Sequence, residues 1–278
     1  MGKAGEVRFS LIKLFWHRIE EDDINGLSAQ LAYFFLLSLF PLLIVLFTLL
    51  PYIPIPHEDM LYLIKRFAPD EALDLIEKNV NYIMSNRNSG LLSFGIIGTI
   101  FAASNGIDAI VRAFNKAYDV KETRSFIVVR GMDILLTFGM ILVLILAIVI
   151  PIFGREIGVF LFSLLGYSSQ FLKLWNALSW LVNAIILLLI FTGLYWIAPN
   201  VKLRCKSVFP GAIFATIGWI ISSLGLSFYV RKINDFSFMY GSIGTIIVLM
   251  TWLYLSAYII VIGGEINAFY SEKNRKGC

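Results

Sequence analysis

Three acidic residues, Asp108, Asp133 and Glu265, fall in or beside long apolar runs of this chain. An ionised carboxylate surrounded by hydrocarbon is costly, so each needs a partner or a task. Asn105, Asp108 and Arg112 are spaced i, i+3 and i+7 and share one helical face, with Asn115 close to it. Tyr258 and Glu265 share a face of another run with Thr251 and Tyr254, and Gln30 and Ser38 share a face of a third. With Arg130 and Asn267, these side chains can line an inward-facing polar cavity in which Arg112 or Arg130 is the counter-charge. An intramembrane carboxylate pair can in principle do acid–base work, but nothing nearby marks a nucleophile. The alternative is structural: an acid near a helix end pairs with an arginine and fixes packing. Asp133 reads as the interfacial start of its run.

Other chemistry is not supported. The two histidines, His17 and His57, fall on opposite sides of the expected topology. No Ser/His/Asp set, HExxH, Walker loop or cysteine cluster is present. Cys205 and Cys278 have no metal-ligand spacing, and both are expected on the reducing side. The expectation is therefore no enzyme, no cofactor and no metal.

The elements that must position these residues are apolar. The chain of 278 residues is 58% hydrophobic and 15% charged, and its mean hydropathy is +0.79. Six stretches, starting near Ser28, Gly90, Asp133, Leu178, Phe209 and Ser242, are each long enough to cross a bilayer. Crossing takes about 20 apolar residues in a helix. The expected fold is all-α, a polytopic membrane protein with six transmembrane helices. The net charge of +4 does not indicate nucleic-acid binding, because the cations sit in loops between spans. One set of segments carries most of them: Lys3 to Arg18, Arg112 to Arg130, Lys202 to Lys206 and Lys273 to Lys276. By the positive-inside rule that side is cytoplasmic, and both termini lie there.

This divides the chain into a cytoplasmic amphipathic segment 1–26, a six-helix domain 27–268 and a cytoplasmic tail 269–278. Within 1–26, residues Glu6 to Ile19 read either as a helix on the membrane face or as an extension of span one. The first apolar run is too long for a cleavable signal and is expected to remain as a span. Pro41 should kink span one. The long first outer loop holds Pro69-Asp70-Glu71 and then Leu73, Ile76, Val80 and Ile83 at helical spacing. An extracytoplasmic amphipathic helix is expected there. Val159 to Leu165 is too short to cross and is expected to dip into the interface. Gly211, Ala215, Gly218, Ser222 and Gly225 form a small-residue stripe suited to close helix approach. Tyr240-Gly241-Ser242 reads as a tight turn. Gly263 and Gly264, beside Glu265, read as a hinge or as a helix-crossing point.

The motifs resemble one family throughout. Leu31-Ala-Tyr-Phe-Phe-Leu-Leu-Ser-Leu-Phe-Pro41, Ser104-Asn-Gly-Ile-Asp-Ala-Ile-Val-Arg-Ala-Phe-Asn115 and Ala117-Tyr118 come first. Tyr195 with Pro199-Asn200, Pro210-Gly211-Ala212, Tyr240-Gly241-Ser242, Trp252-Leu-Tyr254 and Gly263-Gly-Glu-Ile-Asn267 follow. In order and spacing they resemble the YihY / virulence factor BrkB family, with Gly264 standing where many relatives carry alanine. The resemblance implies six membrane helices in a bacterial cytoplasmic membrane and an undefined activity. Some members are linked to serum resistance and others to envelope lipid traffic. The family's former ribonuclease BN label is not carried over, because the metal-binding histidines and acids of such a nuclease are lacking. The expected partners are membrane lipids and a lipid or amphipathic substrate, with no nucleic acid. A scaffold for an envelope-synthesis complex is the second reading, and the sequence leaves the homo-oligomeric state open.

Overall fold

The structure, a computed structural model, describes residues 15–52, 88–163, 168–201, 203, 205–232 and 236–275. Among them there is no strand. Six long helices follow in order: α1 Ile24–Leu49, α2 Ser89–Ala117, α3 Phe126–Ser163, α4 Ser168–Ile197, α5 Cys205–Lys232 and α6 Phe236–Arg275. Five contain a segment long and apolar enough to cross a membrane: Ile24–Leu49, Ser89–Ala117, Leu178–Ile197, Ser207–Val230 and Ile246–Glu272. The remaining helix, α3, is helical over the whole of the expected third span.

Helix is the natural state for such sequences. In lipid no water satisfies a free N–H or C=O, so each segment closes its own hydrogen bonds. Large apolar side chains therefore remain on the outside. Leu135, Phe138 and Leu142 on α3 and Leu181, Ile185 and Leu189 on α4 are exposed at helical spacing. So are Ile217, Ile221, Leu224 and Phe228 on α5.

The chain divides into two compact units, residues 1–34 with 104–278 and residues 35–103. In the smaller unit, a Cβ at Gly98 would stand 3.2 Å from Pro41 Cβ, and one at Gly95 3.0 Å from the Ile44 side chain. The glycines thus let the two backbones approach beside the proline, which lies within α1. In the larger unit the centre of packing is the α4–α5–α6 seam. Tyr195, Val208, Ala212, Ala215, Ala257 and Val261 are all buried there.

Three expectations change. Tyr240-Gly241-Ser242 is not a tight turn, because α6 runs through it. A glycine there breaks no helix, since a membrane segment that unwound would strand its own amides. Residues 159–163 do not leave the third helix, which continues to Ser163. Asp133 does not start its helix: α3 begins at Phe126, and Asp133 is fully buried. The expected outer-loop helix and most of the N-terminal amphipathic segment lie outside the described residues. Residues 15–21 of that segment are helical. They are separated from α1 by a turn in which Asp23 adopts φ 50°.

Candidate functional site

The polar residues of the larger unit form three groups. The first surrounds Glu265, whose side chain is 1% exposed on α6. Arg18, from the short helical segment, reaches it with Nε 4.0 Å from Oε2. The same guanidinium donates to Glu272 Oε2 at 3.0 Å and to the Ala117 carbonyl at 3.1 Å. Phe15 packs edge-on against Phe269 at 5.8 Å, so the segment is docked on α6. Asp22 and Lys116 are the other charged neighbours of Glu265. Lys116 Nζ also donates to the Asp22 carbonyl at 2.5 Å. Glu265 Oε2 accepts no hydrogen bond. Burial pushes the Tyr118 hydroxyl well above its ordinary range, and the nearby Glu265 charge adds to that.

The second group fastens the loops. After α2 the chain turns through Asp119 at φ 50°. Val120 N–H bonds the Asn115 carbonyl at 2.9 Å and Asp119 N–H the Lys116 carbonyl at 2.9 Å, the pattern of a Schellman ending. Asn115 then bridges two loops: its Nδ2 donates to Glu122 at 2.9 Å, and its Oδ1 accepts Asn200 N–H at 2.7 Å. Asn200 Nδ2 donates to the Lys121 carbonyl and to Thr123 Oγ1. Arg124 donates to Glu122 at 2.8 and 2.7 Å and to the Ala198 carbonyl at 3.2 Å. Hydrogen bonds from the Arg124 side chain hold the Glu122 carboxyl down at about 2, with lesser help from the Arg124 N–H and from Asn115.

The third group lies between α2 and α3. Arg112 pairs with Asp108 on its own helix. Arg130 Nη2 donates to Asn105 Oδ1 at 2.8 Å, and Nη1 approaches Ser104 Oγ at 3.4 Å. Asp133 is 0% exposed, with Arg130 Nη1 at 4.0 Å.

Beside these groups lies a glycine crossing between α5 and α6. Gly211 N–H donates to Asn267 Oδ1 at 2.7 Å. A Cβ at Gly211 would strike the Gly263 carbonyl and stand 2.6 Å from Asn267 Cγ. One at Gly263 would stand 2.8 Å from Tyr195 Cζ, and one at Gly264 would stand 2.6 Å from the Phe114 ring. Tyr195 OH donates to the Ile260 carbonyl at 2.9 Å, and its ring lies 5.1 Å from that of Phe114.

The structure thus brings together Asn105, Asp108, Arg112 and Arg130, and separately Asn267 with the glycines. Asn115 belongs to the loop fastening. The counter-charge of Glu265 is Arg18 rather than Arg112 or Arg130. Gln30 is exposed on α1. Ser38 Oγ donates to the Phe35 carbonyl of its own helix within the smaller unit. Tyr258 stacks on Tyr254 at 6.0 Å. Sequence reasoning missed Arg18, Glu122 and Arg124. For Arg18 the available signal was its place one turn before Asp22 in a basic and acidic run.

The family profile of virulence factor BrkB matches residues 15–277. The chain is similar to a ribonuclease-like protein, YfkH, of Bacillus subtilis (strain 168), at 49% identity over 266 residues, which covers 96% of this chain and 97% of that one. It is 25% identical over 266 residues to the UPF0761 membrane protein NTHI0384 of Haemophilus influenzae (strain 86-028NP), covering 93% and 94%. It is 29% identical over 276 residues to the UPF0761 membrane protein VSAL_I2938 of Aliivibrio salmonicida (strain LFI1238), covering 97% and 86%. No solved structure matches it.

Proposed function

The chain belongs to the virulence factor BrkB family, and we propose that it is a multi-pass bacterial cell-membrane protein that moves an envelope lipid or related amphipath. The observation that carries this reading is Glu265. Its carboxylate is buried in a membrane helix, and one oxygen accepts no hydrogen bond. A carboxyl group buried there without full pairing fits a ligand site. A headgroup hydroxyl or ammonium would supply the missing donor.

The proposed topology has six spans with both termini cytoplasmic. What supports it is that Arg18 and Glu272 meet at 3.0 Å, as they would if the segments carrying them lay on one side of the membrane. Equal sides would require an even number of crossings, and in this reading α3 is the sixth. The basic residues of that end set it inside. The ribonuclease-like name of the Bacillus relative is not carried to this chain. Among the described residues no group of three or more His, Cys, Asp or Glu side chains is placed to hold a metal ion.

The test is lipid movement by the purified full chain in liposomes, wild type against Glu265→Gln. Movement by the wild type, lost in a variant that still inserts and melts normally, supports the reading. A wild type inert over a broad lipid panel overturns it and leaves the scaffold.

A further inference from the structure

Asp133 carries an unresolved demand. Neither of its carboxyl oxygens accepts a hydrogen bond, although the side chain is completely buried. A buried charge in that condition is strongly unfavourable, because it has lost its water without gaining a donor. Its nearest cation, Arg130, is one turn earlier on the same helix, 4.0 Å away. That guanidinium is turned instead towards α2, at 2.8 Å from Asn105 Oδ1. The remaining charged groups facing Asp133 are Asp108 and Arg112 on α2 and Arg124 in the preceding loop. Asp108 is already paired with Arg112.

Two events can satisfy the carboxyl. Arg130 can leave Asn105 and close on it, or it can take up a proton. A metal cation fits poorly, since the Arg130 guanidinium already lies 4.0 Å away and hard cations take six or more oxygens. We propose that Asp133 is a proton-binding site whose occupancy decides whether Arg130 holds Asp133 or Asn105. With the proton on, Arg130 ties α3 to α2; with the proton off, Arg130 turns back to its own helix and the tie is released. The proton leaves and enters through the carboxyl oxygen itself, and no other group is consumed. Its use as the coupling ion rests on the transport reading; its existence does not.

The experiment is an infrared pH titration of the full chain in lipid, following the C=O stretch of protonated carboxyl groups. A titrating band present in the wild type and in Glu265→Gln, and missing from Asp133→Asn, is the expected result. The same band in Asp133→Asn, or no such band in the wild type, overturns the proposal. Should Asp133→Asn fail to fold, Arg130→Gln replaces it. Loss of the competing cation should move the band's midpoint to higher pH by about one unit or more, and an unmoved midpoint overturns the proposal. Transport is measured in the same vesicles. A wild type that titrates but moves no lipid retains the proton site and removes the transport reading. A wild type that moves lipid but shows no titrating band removes the proton site alone.

Discussion

Asn115 and Asn200, 85 positions apart, meet at 2.7 Å, side-chain oxygen to backbone N–H. That one amide joins the end of α2 to the loop between α4 and α5, and its nitrogen holds Glu122 in the loop between α2 and α3. Three chain segments thus depend on one buried side chain.

Replacing Asn115 by Leu keeps the branched shape but leaves the Asn200 N–H without its acceptor and Glu122 without one donor. The expected loss is about 1–3 kcal/mol, read as a lower Tm in detergent. Asn115→Asp retains the acceptor and should recover part of it at acid pH, where the new carboxyl group takes up a proton and no longer repels the ionised Glu122. Equal melting of Asn115→Leu and wild type would contradict the bridge.

Glu122 gives the loops a pH dependence with a defined sign. Its carboxyl titrates at about 2 in the fold against an ordinary 4.5. The ionised form is therefore the stabilising one. Its contribution is complete above the ordinary value and disappears as pH falls through the interval down to about 2. The Tm difference between wild type and Glu122→Gln should be constant at neutral pH and close across that acid window. A difference that stays constant to the bottom of it would sink the assignment.

The glycine crossing can be tested by a double-mutant cycle. Gly263→Ala places a methyl group against the Tyr195 hydroxyl and should cost about 1–3 kcal/mol. Tyr195→Phe alone loses the bond to the Ile260 carbonyl, worth about 1 kcal/mol. Combined, the two should fall short of their sum, because Phe removes the atom that the methyl group strikes. Strict additivity of the two melting shifts would show that the residues do not meet as described.

Arg18→Ala should destabilise the fold by up to about 3–5 kcal/mol, because it leaves Glu265 buried without its cation. Arg18→Ala combined with Glu265→Gln should be milder than Arg18→Ala alone, since no charge is then stranded. Thermal melts of the three variants separate this from simple loss of a surface contact.

Much of this was legible in the residues. Apolar length located the five helices of the described residues that are long and apolar enough to cross a membrane, because in lipid a long apolar segment has no other way to satisfy its backbone. The motif residues Asn115, Tyr195, Asn200, Gly211, Gly263 and Asn267 converge at one end of the larger unit. Pairings were not legible. Periodicity orders residues along one helix, and it correctly set Asp108 beside Arg112, but it says nothing about which distant segment returns. Arg18 was therefore invisible as the partner of Glu265. Asp133 reads as a helix start because the apolar run begins after it, whereas the helix begins at Phe126. Gly241 misled because turn signals belong to chains in water, where an unwound amide finds a partner.

The bond between Arg18 and Glu272 spans 254 positions, so its two halves are made at very different times. At roughly 5–20 residues per second, Arg18 leaves the ribosome about 13–50 s before its partner. Throughout that interval the segment can reach the end of α2 but not α6, and α1 and α2 are in place before the seam of α4, α5 and α6 exists. Completion of the last helix is therefore the event that closes this end of the protein. A chain cut short within α6 would carry every earlier span and still leave it open.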